Sequence, residues 1–207
     1  MRPLDIASCA ETWSLYVSDA ANGRLHRVEP ASGRVVDSWR VDARGWGLSV
    51  TPRGTVLLCC RGAGLLCEYT SFGHLVRRVQ LPDDVTQPLH AVQMMSRFVV
   101  VTSHDVDESA GARVCVVDDA GAVQRDHQQL SQPHHLAVVS DDDRRPVVAV
   151  ADCGNDRVKL LDAASLSEVA VVGGRRLLRH PHRLCVRQGR LYVGQWDGFV
   201  LIYQLSL

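Results

Sequence analysis

Three side chains capable of chemistry stand at one recurring place in this 207-residue sequence: His90, His135 and Arg183 each follow a proline by two residues. Two imidazoles at equivalent positions can hold a divalent cation, with a third ligand from Asp5 or from the stretch that carries His104, Asp105, Asp107 and Glu108. Arg183 opposes that use, because its fixed positive charge repels a metal. No nucleophile–base pair accompanies the histidines, so the sequence assigns no catalytic residue, no metal and no cofactor. His90 and His135 stay as the pair on which a metal alternative would rest.

A second group lies at residues 174–190, with six arginines and no acid. Arg175, Arg176, Arg179 and Arg183 belong to it, and His182 is interleaved. With Trp46 and Trp196 near enough to stack on bases, such a stretch can take phosphates or single-stranded RNA. A patch for an acidic protein partner uses the same residues. Arg187 and Arg190 fall in and after a strand and point elsewhere. The chain also carries 23 basic and 23 acidic residues, so no global field draws it to nucleic acid or a membrane.

Composition sets the class. At 46% apolar residues the chain can bury a substantial core as a single domain, residues 1–207. Seven cysteines form an odd set with no C-x-x-C pair, and most lie inside apolar runs such as Val56-Leu57-Leu58-Cys59-Cys60. They read as small buried hydrophobes of a reduced protein. The first residues lack a signal-peptide apolar stretch and no run is long enough to span a bilayer. A cytoplasmic protein without a membrane partner is the expectation. Its oligomeric state is open.

The elements that must position these residues follow from a repeat. Asp5, Gly47, His90, His135 and Arg183 occupy one frame, separated by 42, 43, 45 and 48 residues. That is the length of a propeller blade. Within a repeat, short Val- and Leu-rich runs alternate with Gly, Asp and Asn turns, as β-hairpins do. In the fourth, strands are predicted over residues 135–139, 146–151, 157–161 and 168–172. The sequence therefore predicts an all-β β-propeller of four-stranded antiparallel blades. Blades are expected near residues 3–42, 43–86, 87–131, 132–178 and 179–207, the fifth without its outer strand. Five blades without an evident closing strand read as part of a six-bladed ring.

The fourth repeat, Gln132-Pro133-His134-His135-Leu136-Ala137-Val138 and then Val150-Ala151-Asp152-Cys153-Gly154-Asn155-Asp156-Arg157-Val158, resembles an NHL repeat. Leu15 to Leu25 matches the second half of that pattern through Asp19, Asn22 and Arg24. Asn22 and Asn155 are the chain's two asparagines and both fall in its D-x-x-N turn, where they read as turn architecture. The resemblance is strongest in repeats one, four and five, and repeats two and three are degenerate. The resemblance implies that the turns between second and third strands share one face with the links between blades. That face would gather Trp46, His90, His104, His134, His135, Arg175, Arg176, Arg179, His182, Arg183 and Trp196 as partner-binding residues. It also implies a non-catalytic scaffold for protein–protein interaction, such as substrate recognition in a ubiquitin ligase of the tripartite-motif kind. RNA binding through the arginine-rich face is the alternative. A metal-dependent lyase or hydrolase at the channel mouth is a further one.

Overall fold

The computed structural model describes residues 3–41, 45–85, 87–102, 112–174 and 177–205. His104, Arg175 and Arg176 lie outside the described residues. Among the described residues the chain forms five antiparallel sheets around a common axis, a β-propeller of five blades. The first blade holds β1 (Pro3–Cys9), β2 (Ser14–Asp19), β3 (Arg24–Val28) and β4 (Val35–Arg40). The second holds β5 (Gly45–Val50), β6 (Val56–Cys60), β7 (Leu65–Tyr69) and β8 (Leu75–Gln80). β9 (Pro88–Met94), β10 (Arg97–Thr102), β11 (Arg113–Val117) and β12 (Val123–His127) make the third. β13 (Pro133–Ser140), β14 (Val147–Asp152), β15 (Arg157–Asp162) and β16 (Glu168–Gly173) make the fourth. The fifth has three strands: β17 (Pro181–Arg187), β18 (Arg190–Gln195) and β19 (Val200–Gln204).

Burial follows position in the blade. The second strands, such as Val56–Cys60 and Val147–Asp152, are buried along their whole length because each is covered on both faces by neighbouring blades. They read as apolar runs for that reason. Outer strands are exposed, and the pattern of β4 is mostly open. Four apolar clusters fill the joints between successive blades. One places Tyr16 and Leu25 of blade one against Leu48 and Leu58 of blade two, and another packs Ala149 and Leu160 of blade four on Leu184 and Leu191 of blade five. Six of the seven cysteines are buried and Cys185 is exposed.

The D-x-x-N turns are built as the sequence implies. Asp152 is fully buried and accepts hydrogen bonds from Asn155 Nδ2, Arg157 Nε and the Ser131 amide, the last two at 2.7 Å. In blade one Asn22 Nδ2 donates to Asp19 at 2.8 Å.

The joint between blades five and one differs from the other four. No apolar cluster spans it among the described residues. It is an open cleft of about 880 Å³ lined by Leu4, Ile6, Val17, Arg183, Tyr192 and Val200, among others. Arg183 crosses its inner end, donating from its guanidinium to the Leu4 carbonyl at 2.9 Å.

Candidate functional site

Strand registers place the candidate residues at one end of the propeller. Pro3 at the start of β1 pairs with Asp19 at the end of β2, and Arg24 at the start of β3 pairs with Arg40 at the end of β4. The start of each inner strand, the turn between second and third strands and the exit of the outer strand therefore share an end. Pro133 opposite Asp152 and Pro181 opposite Gln195 repeat this in blades four and five. The residue before the inner-strand proline holds a left-handed backbone in three blades: Gln87, Gln132 and His180, with φ of 53°, 46° and 44°. Non-glycine residues seldom adopt it.

At the axis, one residue per blade meets the others. The carboxylate of Asp5 accepts from the Leu48 amide of blade two at 2.9 Å and from its neighbour Ile6 at 3.0 Å. His90 Nε2 and His135 Nε2 stand 3.9 and 4.0 Å from Asp5 Oδ2, and Arg183 Nε is 3.4 Å from Oδ1. The two imidazoles stack with centroids 3.8 Å apart. His90 Nε2 lies 2.9 Å from the Leu48 carbonyl, so it carries the proton and donates. His135 Nδ1 accepts from the Leu184 amide of blade five. Blade two contributes Gly47, and only glycine fits: a Cβ there would lie 2.2 Å from the Leu89 carbonyl oxygen and 2.9 Å from the His90 ring.

Both histidines are buried, and desolvation is the main cause that pushes their pKa values below the ordinary imidazole value. For His135 the second cause is His90 itself. They are neutral at pH 7. The hub joins five inner strands through a carboxylate, two neutral imidazoles and one guanidinium.

Ligand atoms of Asp5, His90 and His135 all lie within 4.8 Å of one another, which is compatible in spacing with a cation. The donor set is not suited to one. His90 Nε2 is taken by a carbonyl, Asp5 already accepts two backbone amides, and the Arg183 cation adjoins the carboxylate. The sequence foresaw the Arg183 objection; the backbone bonds strengthen it.

Outside the hub lies a ledge of rings. His134 and His182 are 4.1 Å apart, and His182 meets the edge of Trp196 at 5.3 Å. Trp196 is 75% exposed, and Leu177, in the link that precedes β17, is 64% exposed. Burial and its neighbours His134 and Arg183 lower the pKa of His182 to about 4. Arg179 is exposed at the edge of this cluster, and its amide is held by Gln195 at 2.5 Å. The buried Leu178 anchors the same loop. Trp46 is apart from the ledge and is covered by Arg61, whose guanidinium sits 4.6 Å over its ring. The arginine-rich face is thus divided. Arg183 is turned inward to Asp5, whereas Arg187 and Arg190 lie at the opposite end of blade five, where they pair across the β17–β18 hairpin.

Some partners had no signal in the sequence. Arg61 is one, since nothing in its own surroundings marks it as a companion of Trp46. The pairing of His134 with His182 did have one, since each directly follows the inner-strand proline of its blade.

No protein-family model matches the chain, and no curated protein matches it. Solved structures do. A protein of unknown function from Bacteroides caccae is similar with a TM-score of 0.75 and 15% identity, over 94% of this chain and 70% of that one. A chain in a nidogen/laminin complex gives 0.77 at 16% identity, over 98% of this chain and 76% of the other. A streptogramin B lyase gives 0.71 at 14%, over all of this chain and 70% of the other. At such identities the likeness establishes the β-propeller fold, shared by proteins of unlike function.

Proposed function

We propose that the chain is a non-catalytic binding scaffold that engages a protein partner through the ledge of His134, His182 and Trp196, with Arg179 at its edge. The observation that carries this reading is the 75% exposure of Trp196, whose ring meets His182 of the stacked His134–His182 pair at 5.3 Å. Tryptophan is among the side chains most enriched in residues that dominate protein interfaces. A rigid all-β frame and a solvent-facing loop cluster supply the platform. The resemblance to NHL repeats supports the same class of function, and substrate recruitment to a ubiquitin ligase is one use such a platform serves. A propeller in a nidogen/laminin complex is a neighbour in fold. RNA binding draws less support, because Arg183 is committed to Asp5 and His182 on the ledge has its pKa lowered to about 4.

Affinity purification with tagged wild-type protein, with and without RNase, tests this. The expected result is a partner retained after RNase and lost with Trp196→Ala and with His182→Ala. Loss of the partner on RNase treatment would transfer the function to RNA, and a partner indifferent to both substitutions would remove the ledge from it.

A further inference from the structure

The same corner of the fold is closed in blade four and hollow in blade two. In blade four the turn between second and third strands, Cys153–Asn155, is tied to the link into blade five. Asp156, which ends that turn with a left-handed backbone, accepts from the His180 amide at 2.8 Å, and Cys153 Sγ lies 3.7 Å from His180 Nδ1. A Cβ on Gly154 would stand 2.3 Å from Ser131 Oγ. Blade two has Arg61–Ala63 in this turn, with the left-handed Gly64 in the place of Asp156 and Gln87 in the place of His180. Gly64 holds the link only at its start, where its carbonyl accepts from the Leu81 amide at 2.9 Å. A Cβ on Gly62 would meet nothing within 4 Å. A pocket of about 640 Å³ is left between the turn and the link of residues 81–87. Pockets of roughly 300–1,000 Å³ are of the size that takes small molecules.

The lining of this pocket is of three kinds. Leu81 and Val85, buried in the apolar cluster between blades two and three, are its floor. Trp46, Arg61 and Gln87 bring donors. Arg61 donates from Nε and Nη2 to Gln87 Oε1 at 3.2 and 2.8 Å, and its guanidinium lies over the Trp46 ring. Two neutral groups thus orient a cation. The same bonds fix which end of the Gln87 amide is oxygen, and they leave its Nε2 with two protons to give. Asp83 brings an acceptor, and among the described residues of the lining it is the one carboxylate. It is exposed and forms no ion pair among the described residues. A guanidinium and a carboxylate therefore border one hollow without pairing with each other.

The geometry points to a binding site for a small apolar zwitterion, a free aliphatic amino acid or its dipeptide, in the blade-two pocket. The ligand carboxylate meets Arg61 and Gln87 Nε2, its ammonium meets Asp83, and its side chain lies on Leu81 and Val85. Guanidinium and carboxylate form the stronger, charge-assisted kind of hydrogen bond, and the planar fork sets the direction of approach. A ligand with one charge of each sign matches a lining with one of each. A simple acid leaves Asp83 without a counterion, and an amine leaves Arg61 without a bound anion from the ligand. Because Gln87 and Trp46 already hold Arg61, little side-chain freedom is lost when the ligand enters. The pocket is independent of the Trp196 ledge, and either can fail without the other.

Isothermal titration calorimetry of the whole chain with L-leucine and with L-leucyl-L-leucine tests this, and the tighter of the two gives the length of the ligand. Saturable binding of at least one is expected, weakened at least about tenfold by Arg61→Gln. The deaminated analogue of whichever binds, and its C-terminal amide, bind severalfold more weakly. Asp83→Asn removes the preference over the deaminated analogue and leaves the preference over the amide. Gly62→Leu, at a position with open space around it, narrows the hollow with the same expected loss as Arg61→Gln. Asp83 and Gly62 are exposed, so both substitutions leave the melting temperature close to wild type. Absence of saturable binding of both ligands, or binding indifferent to Arg61→Gln and to Gly62→Leu, overturns the proposal. So does equal affinity for the ligand and its deaminated analogue in the wild type, which would give the pocket to a simple carboxylate.

Discussion

Gly47 and Asp5 do different work at the same axis. Gly47 is required by space, and Gly47→Ala forces a methyl group onto the Leu89 carbonyl. Such overpacking costs roughly 1–3 kcal/mol, to be read from urea unfolding. Asp5→Ala leaves the buried Leu48 amide without its acceptor and Arg183 without its anion. An unsatisfied buried donor costs about 1–3 kcal/mol, so a similar loss is expected. Trp196→Ala, by contrast, removes an exposed ring and shifts stability by less than about 0.5 kcal/mol while abolishing partner capture. The equivalence of His90, His135 and Arg183 was legible because a repeat fixes which residues face the axis. That Arg183 reaches back to the Leu4 carbonyl was not, since pattern within one repeat says nothing about how the last blade meets the first.

Strands were legible at the level of elements. The four strands of blade four differ from expectation by a residue or two at their ends. Short apolar runs between turn residues leave little ambiguity when the repeat is known. The missing outer strand of blade five was legible too. Loop packing was not: Leu178, set among arginines in the sequence, is buried in the apolar cluster between blades four and five, which the stretch's composition conceals. The D-x-x-N turn gives a test at this scale. Asp152→Ala strands the Ser131 amide and the Arg157 guanidinium around a buried void, with an expected loss of roughly 3–5 kcal/mol in chemical unfolding. Asn155→Ala removes one donor to the same carboxylate and costs less.

Five blades held at one buried hub make the stability of the whole molecule depend on pH. His90 and His135 have pKa values lowered in the folded state, chiefly by burial. Below the unfolded imidazole pKa of about 6.5 the unfolded chain binds protons that the folded chain refuses. Stability is therefore full above pH 7 and falls as the pH drops from about 6.5 toward 5, by up to about 1.4 kcal/mol per pH unit for each such histidine. Urea unfolding at pH 7.5 and 5.5 measures this, and His135→Gln flattens the dependence. A flat profile in the wild type would mean that the hub admits protonation in the folded state.

The fold is compatible with the binding function proposed above. Its axis is occupied by committed hydrogen bonds, while its exposed rings lie on the face beside it. Amide hydrogen exchange on the chain, alone and with a captured partner, tests that account most directly. Slowed exchange over residues 131–135, 177–183 and 195–199 is predicted on binding. Unchanged exchange there, with protection confined to the opposite end at residues 140–146 and 187–190, would contradict it.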